Sequence, residues 1–335
     1  MNKLEKLLQG SELIMADGAM GTMLFDAGLQ FGDPPETWNI LHPEVIRKVH
    51  RSYLESGSQI LLTNTFGGNR YRLAMHRLQE RVKELNTTAA ILARIEVDAT
   101  DIDAIVAGNI GPNGEIMEPL GTLTAEEAVD AFEEQADALV FGGVDAIWIE
   151  TMWALEEMKA AIEGVRKASA DMPIIATMTF DTNGCTMMGV TPEQAIEFLE
   201  AQNVTAAGGN CGNGPDEILG VIEKMSAKNP SIPLVAKSNA GIPALVDRRP
   251  VYSAGPTEMA EYSIALRAAG ARVIGGCCGS TPDHLQCMHS TLKSIPGDSV
   301  PKISRKSSTR NGNEPAPKRK RARFRRRSDA KSATG

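Results

Sequence analysis

An α/β chain closed into a single (β/α)8 barrel is what this sequence predicts, and three observations predict it. Eight short apolar runs recur within residues 1–300, each followed by a turn bearing Gly or Asn and then by an amphipathic stretch. The runs are continuous rather than alternating, as in parallel strands buried on both faces. A polar or sulfur-bearing residue stands just past each run, where barrels of this class build their sites. A doubly wound open sheet is the competing reading. It needs no eightfold repeat and usually carries a three-glycine fingerprint after its first strand, which residues 16–22 (ADGAMGT) lack.

Taken in order, the first run, residues 13–16, ends at Asp17, and the second, 60–63, ends at Asn64. Between them Pro43 opens a helix whose Val45, Val49 and Tyr53, with Ile46 and Leu54, share one face. The third run, 104–107, leads to Asn109. Thr124 then precedes a helix with Glu127 three residues on, the pattern of a capping box, and Gly142-Gly143 stop it. The fourth run, 146–149, leads to Glu150. The fifth, 174–178, leads to Asp181, after which Thr191-Pro192 supplies an N-cap and a first-turn proline. The sixth, 205–208, leads to Cys211. The seventh, 234–236, leads to Asn239, and Gly270 ends its helix. The eighth, 273–275, runs into Cys277 and Cys278, and Thr281-Pro282 opens the last helix.

Hydrophobic residues make up 42% of the 335, enough for a sizeable core. No apolar run reaches the roughly 18 residues that span a bilayer, and MNKLEKLLQGSEL lacks the apolar stretch of a secretion signal. A soluble, cytoplasmic protein without a membrane partner is expected. The net charge of −7 hides two populations. Residues 301–335 carry 13 Lys and Arg against Glu314 and Asp329, leaving 22 basic and 40 acidic residues in the first 300. Two segments follow: a barrel over 1–300 and a basic tail over 301–335. With only Ile303 and Phe324 as apolar anchors, the tail is expected to be disordered. Its charge suits phosphates or an anionic surface, but a solubilising role is the simpler reading, and nucleic acid is not the expected partner.

Five cysteines, at 185, 211, 277, 278 and 287, do not form a disulfide framework, and only five histidines are present. Strands six and eight flank strand seven, so Cys211, Cys277 and Cys278 converge above the barrel. Three thiolates suit Zn2+ and leave its fourth position open. A vicinal redox disulfide and inert packing are the alternatives. A zinc so rich in negative ligands is a weak Lewis acid, and it suits holding a substrate thiol as thiolate for alkyl transfer. Asp17 and Glu150 at the rim suit an ammonium group, and backbone amides from Gly18 and Ala19 to Gly21 suit a carboxylate. Glu150 could instead cap a helix opened by Thr151. Cys185 and Cys287 fall outside this group.

These residues resemble the homocysteine S-methyltransferase family. The matching segments are ADGAMGTML (16–24), TNTFGGNR (63–70), GNIGP (108–112), ETM (150–152), GGNCGNGP (208–215), KSNAG (237–241) and GGCCGSTPDH (275–284). The resemblance implies a zinc held by Cys211, Cys277 and Cys278, homocysteine held through Asp17 and Glu150, and methionine as product. It further implies that Asn239 can take zinc's fourth position when homocysteine is absent. Trp38 and Phe66 match aromatic positions of the betaine enzymes. Those of the animal type carry tyrosines where Gly67 and Thr151 stand here, which leaves Tyr71 and Trp153 as other candidates for a cation–π cage. No Asp-x-His-x-x-Gly cobalamin motif surrounds any histidine, so a complete cobalamin-dependent methionine synthase is not expected. Betaine is the expected methyl donor. S-methylmethionine, dimethylsulfoniopropionate and a separate corrinoid protein are the alternatives, and a homo-oligomer is compatible.

Overall fold

The computed structural model describes residues 1–10, 13–181, 183–246 and 249–295. All eight expected strands form: β1 (Ile14–Met15), β2 (Ile60–Leu62), β3 (Ile105–Ile110), β4 (Ala146–Met152), β5 (Ile174–Met178), β6 (Ala206–Cys211), β7 (Leu234–Ser238) and β10 (Ala271–Gly276). Between the last two lies an antiparallel hairpin of β8 (Ala244–Val246) and β9 (Arg249–Val251) that the apolar pattern does not announce. The barrel strands are parallel, in the order β1-β10-β7-β6-β5-β4-β3-β2, and a bridge from Ala16 to Ile60 returns β1 to β2. The chain is a (β/α)8 barrel. The expected tail over 301–335 lies outside the described residues.

The helices follow the sequence signals. Pro43 opens α4 (Pro43–Glu55), which buries Ile46, Val49, Tyr53 and Leu54. Thr124 and Glu127 close the expected capping box on α7 (Ala125–Phe141), which stops at Gly142. Thr191 and Gln194 do the same for α9 (Pro192–Ala201), and Thr281 with His284 for α12 (Pro282–Ser294). The others flanking the barrel are α6 (Val82–Asp98), α8 (Leu155–Ala168), α10 (Pro215–Ser226) and α11 (Pro256–Ala268). No helix among the described residues is long and apolar enough to cross a membrane.

Two cores result. The larger lies between the strands and the surrounding helices. The smaller fills the barrel: Ile14, Ile60, Ile105, Trp148, Ile175, Val235 and Val273 pack with small alanines, and Leu4 and Leu7 of an N-terminal helix (Lys3–Gly10) join them. Strand alternation then aims the site. In β4, Ala146 and Trp148 point inward, so Glu150 does too. In β7 the inward Val235 brings in Lys237, and in β3 the inward Ile105 and Ala107 bring in Asn109. Each polar group therefore sits above an apolar floor.

Candidate functional site

A cavity of about 540 Å³ opens where the strands end. Its wall includes Asp17, Glu150, Lys237 and the three cysteines, together with Glu36, Phe66 and Arg72 among others. The sulfurs of Cys211, Cys277 and Cys278 all lie within 4.8 Å of one another, and those of Cys211 and Cys277 are 2.8 Å apart.

Alternation alone would turn Cys211 away from the barrel, because Asn210 faces in. The chain leaves the strand there with φ +59° at Cys211, and at the facing end of β4 Thr151 has φ +62°. Left-handed backbone is costly for a β-branched residue and persists only where neighbours impose it. Asn210 is that neighbour: its Oδ1 accepts from the Thr151 N–H at 2.9 Å, and its Nδ2 donates to Thr151 Oγ1 at 2.7 Å. Asn239 braces the other two loops, donating to the Gly212 carbonyl at 2.8 Å and accepting from the Cys278 N–H at 3.0 Å.

The three thiols behave as one group. Hydrogen bonds from Cys211 and Cys277 pull Cys278 down to about 3, with Tyr252 adding to the effect. Cys211 is pushed well above the usual thiol range by its hydrogen bonds to the other two sulfurs and by burial. Burial and the sulfur–sulfur hydrogen bonds oppose ionising all three thiols together, a cost that a bound thiophilic cation would offset. The donor set fits a thiophilic divalent metal such as zinc.

Beside the thiols lies a buried ion pair. Lys237 Nζ donates to Asp17 Oδ1 at 2.8 Å and stands 5.2 Å above the Trp148 ring, while Leu62 N–H donates to Asp17 Oδ2 at 2.7 Å. Burial alone would neutralise the lysine. Its acidic neighbours, Asp17 first, outweigh that burial and hold Lys237 above its ordinary value, while burial raises the Asp17 carboxyl against the pull of the lysine. Glu150 accepts from Asn109 Nδ2 at 2.9 Å through Oε1, and burial pushes its carboxyl up to about 7, against the pull of Lys237. Glu150 belongs to β4, and α8 starts only at Leu155, so it does not cap that helix.

Gly18 and Ala19 line the same wall. A Cβ at Gly18 would fall 2.7 Å from Tyr53 Cε1 and 2.8 Å from its hydroxyl, so only glycine fits. That hydroxyl donates to the Ala19 and Ser280 carbonyls, and the Ala19 N–H makes a longer bond of 3.3 Å to Ser280.

Of the aromatic candidates, Phe66 lines the cavity, as do Phe25 and Tyr252, which were not anticipated. Trp38, Tyr71 and Trp153 are not among the lining residues, and the Trp38 ring lies on His42 with centroids 4.4 Å apart. Asn64 lines the cavity but spends its amide on Pro35 and Asn39. Asp181 and Asn239 do not line it. Lys237 is the main residue that strand-end reading passed over. Its signal was a lysine inside the run LVAKS, where a buried charge requires a partner.

A family model described as homocysteine S-methyltransferase matches residues 14–292. The methionine synthase of Mycobacterium leprae (strain TN) is 32% identical over 316 residues, covering 90% of this chain and 26% of that protein. That of Mycobacterium tuberculosis (strain ATCC 25618 / H37Rv) is 32% identical over 297 residues, covering 84% and 25%. The chain thus spans about a quarter of the length of these relatives. The oxidized form of the homocysteine methyltransferase MmuM from Escherichia coli superposes with a TM-score of 0.74 at 25% identity, covering 87% of this chain and 99% of that one. Its metallated form gives 0.73 at 24% identity, covering 86% and 99%, a likeness of fold. With the family pattern matched along almost the whole barrel, the chain belongs to the homocysteine S-methyltransferase family.

Proposed function

We propose that the protein is a zinc-dependent methyltransferase that moves a methyl group from a small onium donor, glycine betaine first among them, to homocysteine. The observation that carries this reading is that three clustered sulfurs share one cavity wall with Glu150 and Asp17. Zinc held by Cys211, Cys277 and Cys278 supplies, when bound, the positive charge that keeps a substrate thiol ionised and nucleophilic at neutral pH.

The chain's own residues orient the amino acid. Glu150 takes its ammonium through the oxygen that Asn109 leaves over. Asp17 assists, since each carboxylate oxygen accepts more than one hydrogen bond. Gly18 offers its backbone amide to the amino acid's carboxylate, and the Ala19 N–H can join it by giving up its 3.3 Å bond to the Ser280 carbonyl. The homocysteine sulfur then attacks the donor methyl in line. A sulfur–carbon bond forms as the methyl's bond to the donor nitrogen or sulfur breaks, and the electron pair leaves with a donor that departs neutral. Methionine is the product, with dimethylglycine when the donor is betaine. No side chain need act as a base during the transfer, because the thiol proton is lost on binding.

The likeness to methionine synthases, of which this chain spans a quarter, favours a second reading. There the barrel activates homocysteine for a separate corrinoid protein. A competition assay separates the two: zinc-loaded protein and homocysteine are offered betaine, S-methylmethionine and dimethylsulfoniopropionate with distinguishable methyl labels, and methionine is read by mass spectrometry. A label from betaine upholds the lead, and one from a sulfonium changes the donor within it. Unlabelled methionine pools, with turnover restored by methylated corrinoid, establish the second reading.

A further inference from the structure

The cavity wall also carries a pair of opposite charges that close no salt bridge with each other. Glu36 is buried, lines the cavity, and spends Oε1 on the Gly67 N–H at 2.7 Å. Arg72 lines the same space, half-buried, and enters no ion pair among the described residues. Both border Gly67: a Cβ built there lies 3.0 Å from Glu36 Oε1 and 3.7 Å from Arg72 Cβ. The Arg72 side chain then runs over the loop after β3, its Cδ 2.8 Å from a Cβ built on Gly114. Arg72 and the exposed His76 both act electrostatically on Glu36, and neither closes a salt bridge with it.

Burying a carboxylate without a closed ion pair is costly, and a guanidinium that acts on it only at longer range does not remove that cost. Burial accordingly raises the Glu36 carboxyl. A ligand with a positive end toward Glu36 and a negative end toward Arg72 would offset the charge cost at both groups. Phe25 and Phe66 line the same cavity, giving apolar surface for methyl groups. A side chain at position 67 would crowd Glu36, so the glycine that removes a tyrosine from the aromatic cage also makes room for the carboxylate.

We propose that Glu36 and Arg72 form the donor subsite, Glu36 facing the onium centre and Arg72 the carboxylate of a small zwitterionic methyl donor. This rests on the small-donor reading above. It replaces a cage of aromatic rings with one buried charge and two phenyl faces, and it selects for donors that carry both signs.

The test uses the full chain loaded with zinc. Steady-state kinetics with homocysteine and each of betaine, dimethylsulfoniopropionate and S-methylmethionine are compared for wild type, Glu36→Gln, Arg72→Met and Arg72→Lys. Gln keeps an oxygen for the Gly67 amide. Donor KM is expected to rise on the order of 10- to 100-fold in E36Q and R72M, with partial rescue in R72K. Homocysteine KM and zinc per chain should stay within about twofold of wild type on the same grounds. Inhibition by 3,3-dimethylbutyrate, which has betaine's shape and carboxylate without its positive charge, adds a readout that loop distortion does not mimic. Wild type should prefer betaine to this isostere, and E36Q should lose the preference. Unchanged donor KM in both variants, or a parallel rise in homocysteine KM, overturns the subsite. If wild type turns over none of the three donors, the small-donor reading fails separately. Calorimetry with glycine betaine then decides the subsite: binding that both variants lose upholds it, and no binding to wild type overturns it.

Discussion

Asn210 clasps Thr151 through both ends of its amide, tying the end of β6 to the end of β4 at the point where both chains turn left-handed. The amide also reaches the neighbouring sulfur, with Nδ2 3.5 Å from Cys211 Sγ. One side chain thus holds the backbone from which a cysteine of the trio is presented.

Asn210→Ala should therefore weaken metal retention more than it weakens the fold. Two lost hydrogen bonds in a buried setting cost on the order of 2 kcal/mol, readable in urea unfolding. The loss of orienting support around a metal ligand should lower zinc affinity about 10- to 100-fold, read by competition with a chromophoric chelator. Unchanged zinc affinity would remove Asn210 from the support of the site.

Lys237→Met strips the partner from a buried carboxylate. Removing one member of such a pair costs about 3–5 kcal/mol because the remaining charge stays uncompensated. Asp17→Asn added to that variant should recover part of the loss, since no charge is then left behind. Chemical denaturation of the four proteins of the cycle measures the coupling. Additive losses would mean that the 2.8 Å contact contributes no coupling.

Glu150→Gln retains an acceptor for Asn109 but loses the charge offered to the substrate ammonium. Homocysteine KM should rise on the order of 10- to 100-fold, with donor KM little changed. A shift in donor KM alone would move Glu150 out of the amino-acid end of the cavity.

His50 predicts a pH dependence remote from the site. It is fully buried on α4, neither ring nitrogen has a hydrogen-bond partner, and burial lowers its pKa from 6.5 to about 4, against the opposing pull of Glu96. The unfolded chain thus binds a proton between about pH 6.5 and 4 that the folded chain refuses. Stability rises with pH across that window and is lost as pH falls through it, by on the order of 3 kcal/mol in total. Glu157, whose carboxyl burial raises to about 7, slopes the other way, so the informative quantity is wild type minus His50→Leu. A difference that stays flat from pH 7 to 4.5 would mean that His50 is protonated in the folded state.

The barrel was legible because parallel strands leave continuous apolar runs and because three helices announce themselves with threonine caps. The thiol cluster was legible because topology brings strands six and eight to either side of seven. What escaped depended on side-chain geometry. β4 runs on to Met152, past the Glu150 where its apolar run stops, because Asn210, 59 residues later, holds Thr151 in place. Trp38 opens a short helix (Trp38–Leu41) and its ring packs on His42, and no periodicity distinguishes that from a ring turned to the cavity. Tyr252 reaches the thiols on a hairpin whose short strands carry no strong apolar run.

β1 contributes only two residues to the sheet, and the seam between it and β2 is joined by few backbone bonds, among them Gln59 N–H to the Met15 carbonyl and Asp17 N–H to the Ile60 carbonyl. The Asp17 side chain adds a third tie by accepting from Leu62, and it reaches across to Lys237 on β7. The residue proposed to help hold the substrate ammonium is thereby also a rivet in the barrel's shortest joint. Hydrogen exchange at Leu62 should report both conditions at once, because any opening of that joint swings the carboxylate away. On the proposed role of Asp17, occupancy by the amino acid and closure of the cylinder are thermodynamically linked, and ligand should slow exchange along the β1–β2 seam.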